Sequence, residues 1–182
     1  MRCPWATPLL AAVVGGVGLT GCLLPQDDNI LADLPTAPNQ PPSILEAKVQ
    51  PSTRFFTVDG GADCPPLTFS APVEEADLEA LLYFNFYVDS TADTGLVAQG
   101  TIPPSGTAFR TEAATYTVNF AAPGPVQAPG THFVEVLVAD GPLVNGAPVP
   151  VAVPLPDGGT ALQTTYAVSY VWLPTVTDGG CP

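Results

Sequence analysis

Residues 81–89 read LLYFNFYVD. Leu82, Phe84, Phe86 and Val88 occupy alternate positions, with Tyr83, Asn85, Tyr87 and Asp89 between them. A strand sends successive side chains to opposite faces, so this period of two marks a strand with one face turned to a core. Aromatic side chains suit such a pleated, half-buried surface. This stretch decides the fold class because weaker versions of the same pattern lie on both sides of it.

Upstream stand ILEAKVQ (44–50), RFFTV (54–58) and LTFSAPV (67–73); downstream stand GLVAQGTI (95–102), TYTVNFA (115–121), THFVEVLVAD (131–140) and TTYAVSYVWL (164–173). Turn clusters such as DGG (59–61) separate them, and the 17 Gly and 23 Pro follow no collagen-like period. Seven to eight short strands predict an all-β body, a single antiparallel β-sandwich over residues 43–182. A body of that size buries about two thirds of its unfolded surface in one core. VEEADLEALL (73–82) is rich in good helix formers, so a short helix is the alternative there to an acidic turn.

The N-terminus has a different character. Arg2 is followed by LLAAVVGGVGL (9–19), an apolar run too short to cross a hydrocarbon core of about 30 Å as a helix. It has no polar face to turn outward, which argues against a buried amphipathic helix. The run ends in LTGC (19–22), which resembles the lipobox of bacterial lipoproteins. The resemblance implies a signal peptide over 1–21, removal of that peptide, and acylation of Cys22 with chains such as palmitate. Several acyl chains together would hold the protein firmly on a bilayer, as one chain does not. In that family the residue after the cysteine influences sorting, and Leu23 implies the outer rather than the inner membrane of the cell envelope. Residues 22–42 (CLLPQDDNILADLPTAPNQPP) keep no strand or helix period and read as a Pro-rich flexible tether. NILADL within it is otherwise a helical turn or short docking motif.

Under the lipoprotein reading Cys3 leaves with the signal and Cys22 carries lipid, so Cys64 and Cys181 remain. Two thiols in an oxidising compartment are expected to form a disulfide. Two cysteines with His132, the one histidine, make a poor ligand set for structural zinc.

Within the body, LTFSAPVEEADLEALLYFNFYVDS (67–90) and APGTHFVEVLVADG (128–141) resemble strands B to C and strand F of bacterial immunoglobulin-like domains of the PKD or cadherin-like type. The resemblance implies an immunoglobulin-like sandwich. It departs from the pattern where a Phe replaces the common core Trp and where Glu joins Asp in the B–C turn.

Little in the chain points to catalysis. There is no Gly-x-Ser-x-Gly, no Gly-rich turn followed by Lys, and His132 reads as a structural residue opening a strand. Four Lys+Arg against seventeen Asp+Glu give a formal charge of −13, which excludes a phosphate-binding stripe and so nucleic acid. Carboxylates crowd one turn (Glu74, Glu75, Asp77, Glu79), with Asp89 and Asp93 flanking another. Such turns hold calcium when six to eight oxygens converge, and otherwise are simply solvated. Tyr83 and Tyr87, opposite the Phe84/Phe86 face, offer stacking surface if exposed; Tyr166, Tyr170 and Trp172 form a second stripe. The expectation is a non-catalytic, lipid-anchored envelope protein that binds or scaffolds another envelope component. A glycan- or calcium-binding adhesion module is the alternative, and no cofactor beyond the covalent lipid is expected.

Overall fold

The structure, a computed structural model, describes residues 39–90 and 93–181. The expected signal peptide, Cys22 and the tether as far as residue 38 lie outside the described residues. Among the described residues thirteen strands run in the order β1 (Ser43–Ile44), β2 (Phe55–Asp59), β3 (Leu67–Glu74), β4 (Leu82–Val88), β5 (Leu96–Ile102), β6 (Phe109–Val118), β7 (Gly130–Thr131), β8 (Val134–Ala139), β9 (Leu143–Val144), β10 (Ala147–Pro148), β11 (Val151–Pro154), β12 (Thr160–Gln163) and β13 (Ala167–Thr177). The described residues are all-β: the helical elements among them are three short 3-10 turns. Residues 76–80 form a turn, not a helix.

One antiparallel sheet has the order β1-β3-β6. The other has the order β2-β13-β8-β4-β5, with β7 also on β13. Its pairs are antiparallel except β2 and β13, which run parallel. The two sheets share one core. Phe69 of β3 meets Trp172 of β13 edge to face at 5.2 Å, and Phe86 of β4 meets Tyr116 of β6 at 5.7 Å. Offset and edge contacts of this kind add to the burial of the rings themselves. Trp172 has no exposed surface, and its indole N–H donates to the Pro51 carbonyl at 2.9 Å. The alternation of β4 is realised on its inner side, where Leu82, Phe86 and Val88 are buried with Val136 and Val138 of β8.

Seven of the eight apolar stretches correspond to strands, namely β2, β3, β4, β5, β6, β8 and β13; the structure differs from the sequence reading at two places. ILEAKVQ is not one strand. Ile44 pairs with Val73 and Gln50 bridges Ser70, so six steps of chain face only three on β3. The excess loops out as the 3-10 turn Glu46–Lys48. Pro72 lies at this gap with no N–H to donate, and its carbonyl accepts from Leu45 N at 2.9 Å. The second difference is the stretch 143–163, which forms two hairpins, β9–β10 and β11–β12, each a two-stranded sheet of its own.

The basic residues of the body are few and engaged. Lys48 stands over the Phe109 ring, Arg54 over the Tyr170 ring while pairing with Glu46, and Arg110 of β6 buries its side chain against the turn at 77–80. Cys64, after β2, is bonded to Cys181, beyond β13, with 4.9 Å between their Cα atoms. The bond closes a loop 117 residues apart, worth about 4–5 kcal/mol in the chain-entropy model.

Candidate functional site: a polar cleft on the outer face of the larger sheet

The outer face of β4 carries Tyr83, Asn85 and Tyr87. Register sets Thr101 beside Tyr83 and Gln99 beside Asn85 on β5, with Ala139 and Leu137 as their neighbours on β8. Directly opposed residues share a face, so Tyr83, Asn85, Gln99 and Thr101 form a polar patch. Pro142 and Leu143, from the connection following β8, wall one side and enclose a cleft of about 350 Å³. The cleft's backbone floor includes Gly100. A Cβ there would sit 2.7 Å from the Phe84 ring on the core side, so glycine lets that ring lie over β5.

The groups in this cleft are unevenly engaged. Asn85 is buried, and its Nδ2 donates to the Tyr87 hydroxyl at 2.8 Å, which fixes the amide plane. Tyr87 is 1 % exposed and has no face to present to a ligand, while Tyr83 is half-buried at the cleft. The side chains of Tyr83, Gln99 and Thr101 make no hydrogen bond within the described residues. They are therefore free to exchange water for a ligand. Of the second aromatic stripe, Tyr170 and Trp172 belong to the core and Tyr166 is exposed.

The acidic turn is built differently. Glu74 ends β3, paired with Ser43 and Phe109. Glu75 is 1 % exposed; its Oε1 accepts from Asp77 N at 3.0 Å, and its Oε2 is buried without a partner. The exposed Asp77 uses Oδ1 to accept from Glu79 N at 3.0 Å. Arg110 of β6, 6 % exposed, donates to the carbonyls of Asp77 (2.7 Å), Leu78 (3.2 Å) and Ala80 (3.0 Å). Burial holds the Glu75 carboxyl above the usual carboxylate range; the Asp77 N–H opposes this, the Asp140 charge adds to it, and Arg110 also opposes it. The carboxylates here are part of a turn's own framework, and no three metal-ligating side chains converge among the described residues.

At the other end of β4, Asp89 has φ +55°, a left-handed conformation that Asp tolerates better than most residues. Its backbone N–H donates to Phe133 O and its Oδ1 accepts from Phe133 N, both at 2.8 Å. His132 Nδ1 lies 2.8 Å from Asp89 Oδ2, and Nε2 lies 2.7 Å from the Ala128 carbonyl. Burial alone would lower the imidazole's proton affinity, but the Ala128 carbonyl and the Asp89 carboxylate outweigh it and hold the group above its ordinary value. With an acceptor on each ring nitrogen, this histidine joins two loops to a strand end and has no nitrogen left for chemistry.

Asn39, within the expected tether, is fastened to the body at a different place. Its Nδ2 donates to Asp140 Oδ2 at 2.6 Å and to Thr164 O at 2.9 Å. Sequence reasoning named Tyr83 but missed Asn85, Gln99, Thr101, Pro142 and Leu143. The alternation of GLVAQGTI was the available signal for Gln99 and Thr101, since it sets both on one face of β5. No protein-family model matches the chain, and no curated protein or solved structure is significantly similar to it.

Proposed function

We propose that this chain is a non-catalytic, lipid-anchored component of a bacterial cell envelope whose immunoglobulin-like sandwich binds or scaffolds another envelope component. The observation that carries the reading is the Cys64–Cys181 disulfide. A disulfide between distant segments belongs to an oxidising compartment, which fits an exported protein. With those two thiols paired and Cys3 inside the signal-like segment, Cys22 is left at the end of LTGC as the thiol for acylation. Leu23 favours the outer membrane.

The immunoglobulin-like reading is supported by the sheet orders. With β1, β3 and β6 as strands A, B and E, and β13, β8, β4 and β5 as G, F, C and C′, the order follows that fold, with β2 as an A′ strand running parallel to G. Two features depart from antibody domains: the core Trp is on β13, and the disulfide joins the end of β13 to the loop after β2. Binding rather than catalysis is supported by the use of the titratable groups. Glu75, Arg110, Asp89 and His132 each hold a loop in place.

Radiolabelled palmitate fed to cells expressing the chain and its Cys22→Ser variant tests the anchor. The wild type should be labelled and fractionate with membranes, and the variant should lose both properties. A soluble wild-type protein that retains Met1 overturns the reading. Crosslinking in intact cells through carboxylate-directed reagents, followed by mass spectrometry, tests the binding role, for which a reproducible partner is expected.

A further inference from the structure

The geometry points to a neutral glycan as the ligand of the cleft between β4, β5 and the connection after β8. The inference rests on the binding reading above and assigns that site its ligand class. Four properties select a sugar. First, apart from the Tyr83 phenol nothing that lines the cleft is ionisable, so neither an anion nor a cation finds a charged partner there, and the net charge of −13 on the whole chain further disfavours an anion. Second, the free groups both donate and accept: the Gln99 carboxamide and the hydroxyls of Tyr83 and Thr101 do each, and the Asn85 Oδ1 accepts. Sugar hydroxyls ask for this mixture, whereas a purely apolar ligand would strand these groups without partners. Third, Pro142, Leu143 and the Tyr83 ring supply apolar surface for the C–H face of a pyranose. Fourth, the polar groups sit on paired strands, and Asn85 is locked by Tyr87, so little ordering is needed on binding. The volume, about 350 Å³, lies at the small end of ligand sites and suits one or two sugar rings.

A second cleft, of about 390 Å³ between β5, β6 and residues 122–127, lacks these features. Its amides are already engaged: Asn119 Oδ1 accepts from Ala121 N, Gln127 Oε1 from Gly124 N, and Gln127 Nε2 donates to Asn119 O.

The test is an array of neutral and anionic glycans probed with the full mature protein in detergent, alongside Tyr83→Ala, Gln99→Ala and Thr101→Ala. Thr115→Ala, on the outer face of the smaller sheet, serves as control. The expected result is retention of the wild type on neutral glycans, a drop of tenfold or more in affinity for Tyr83→Ala and Gln99→Ala with Tm unchanged, and wild-type binding by the control. No neutral glycan retained, a preference for anionic glycans, or binding indifferent to all three cleft variants overturns the assignment. The same variants go through the cellular crosslinking experiment. A protein partner captured equally by wild type and cleft variants overturns the glycan site while leaving the scaffold reading in place. Absence of both partner and glycan overturns the two together.

Discussion

The chain enters β4 through a turn organised by Arg110 and leaves it through one organised by His132, and the two ends treat buried charge in opposite ways. At the exit, both ring nitrogens of His132 meet acceptors. At the beginning, Glu75 Oε2 and Arg110 Nε are both buried without partners, although Arg110 satisfies three carbonyls. Both titratable groups, Glu75 and His132, bind protons more tightly than usual, but for contrary reasons. The Glu75 carboxylate is starved of solvation, so its neutral form is favoured; the imidazolium is well served, so its charged form is favoured. A shift in the same direction therefore marks a liability at one end and a fastening at the other.

The largest effect should come from breaking the Arg110 end. Arg110→Ala leaves the Asp77, Leu78 and Ala80 carbonyls short of a donor and Glu75 without its opposing charge. The expected loss is about 3–5 kcal/mol, read from urea denaturation. Arg110→Met, which restores the apolar stem but no donor, should recover under half of it. A loss below about 1 kcal/mol for the alanine variant would mean that water serves those carbonyls equally well.

Breaking the other end should cost less, because Asp89 is half-exposed and can be rehydrated. His132→Ala is expected to lose about 2 kcal/mol near pH 6. The pH dependence follows from the direction of the shift. A folded-state value above the unfolded one, about 6.5, means the stabilisation is complete below pH ~6.5 and disappears as pH rises through the folded value. The wild type should thus lose stability as pH rises above about 6.5, and His132→Ala should lack that segment of the curve. Asp89→Asn sharpens the point. It keeps an acceptor for Phe133 N but removes the charge, and should move the histidine's transition to lower pH, as read by imidazole proton NMR.

How much of this was legible follows from what each feature depends on. The inner face of β4 was readable because alternation is local: Leu82, Phe86 and Val88 fall on one side whatever the tertiary context. The burial of Asn85 and Tyr87 was not, since it depends on the register of β8 and β5 against that strand. The cleft needed the β4–β5 register, which shifts at a bulge between Phe86 and Tyr87 and leaves no mark in the sequence. The hairpins at 143–163 were hidden by their prolines, which argue against central strands. Every strand of a two-stranded sheet is an edge, so Pro148 in β10 and Pro154 in β11 are tolerated. The 3-10 turn at Glu46–Lys48 was hidden because its cause is the partner strand at Pro72. The disulfide was readable from cysteine arithmetic, without geometry.

The smallest expected effect discriminates best between the two ends. Glu75→Gln keeps the shape and the Asp77 N–H acceptor, removes the charge that burial penalises, and gives the buried end of the side chain an N–H₂ in place of the unpartnered oxygen. If the carboxylate's desolvation dominates, the variant should be within about 1 kcal/mol of wild type at pH 7, and on the stable side. Because the folded value of Glu75 lies above the unfolded one, the wild type's advantage from a protonated Glu75 is complete below pH ~4.5 and fades as pH rises through the folded value. The variant's relative stability should therefore improve across that same interval, measured as the difference in urea midpoints between pH 4 and pH 7. A Gln variant that is clearly weaker at pH 7 would mean that attraction to Arg110 outweighs burial, and the two ends of β4 would then hold charge by the same means.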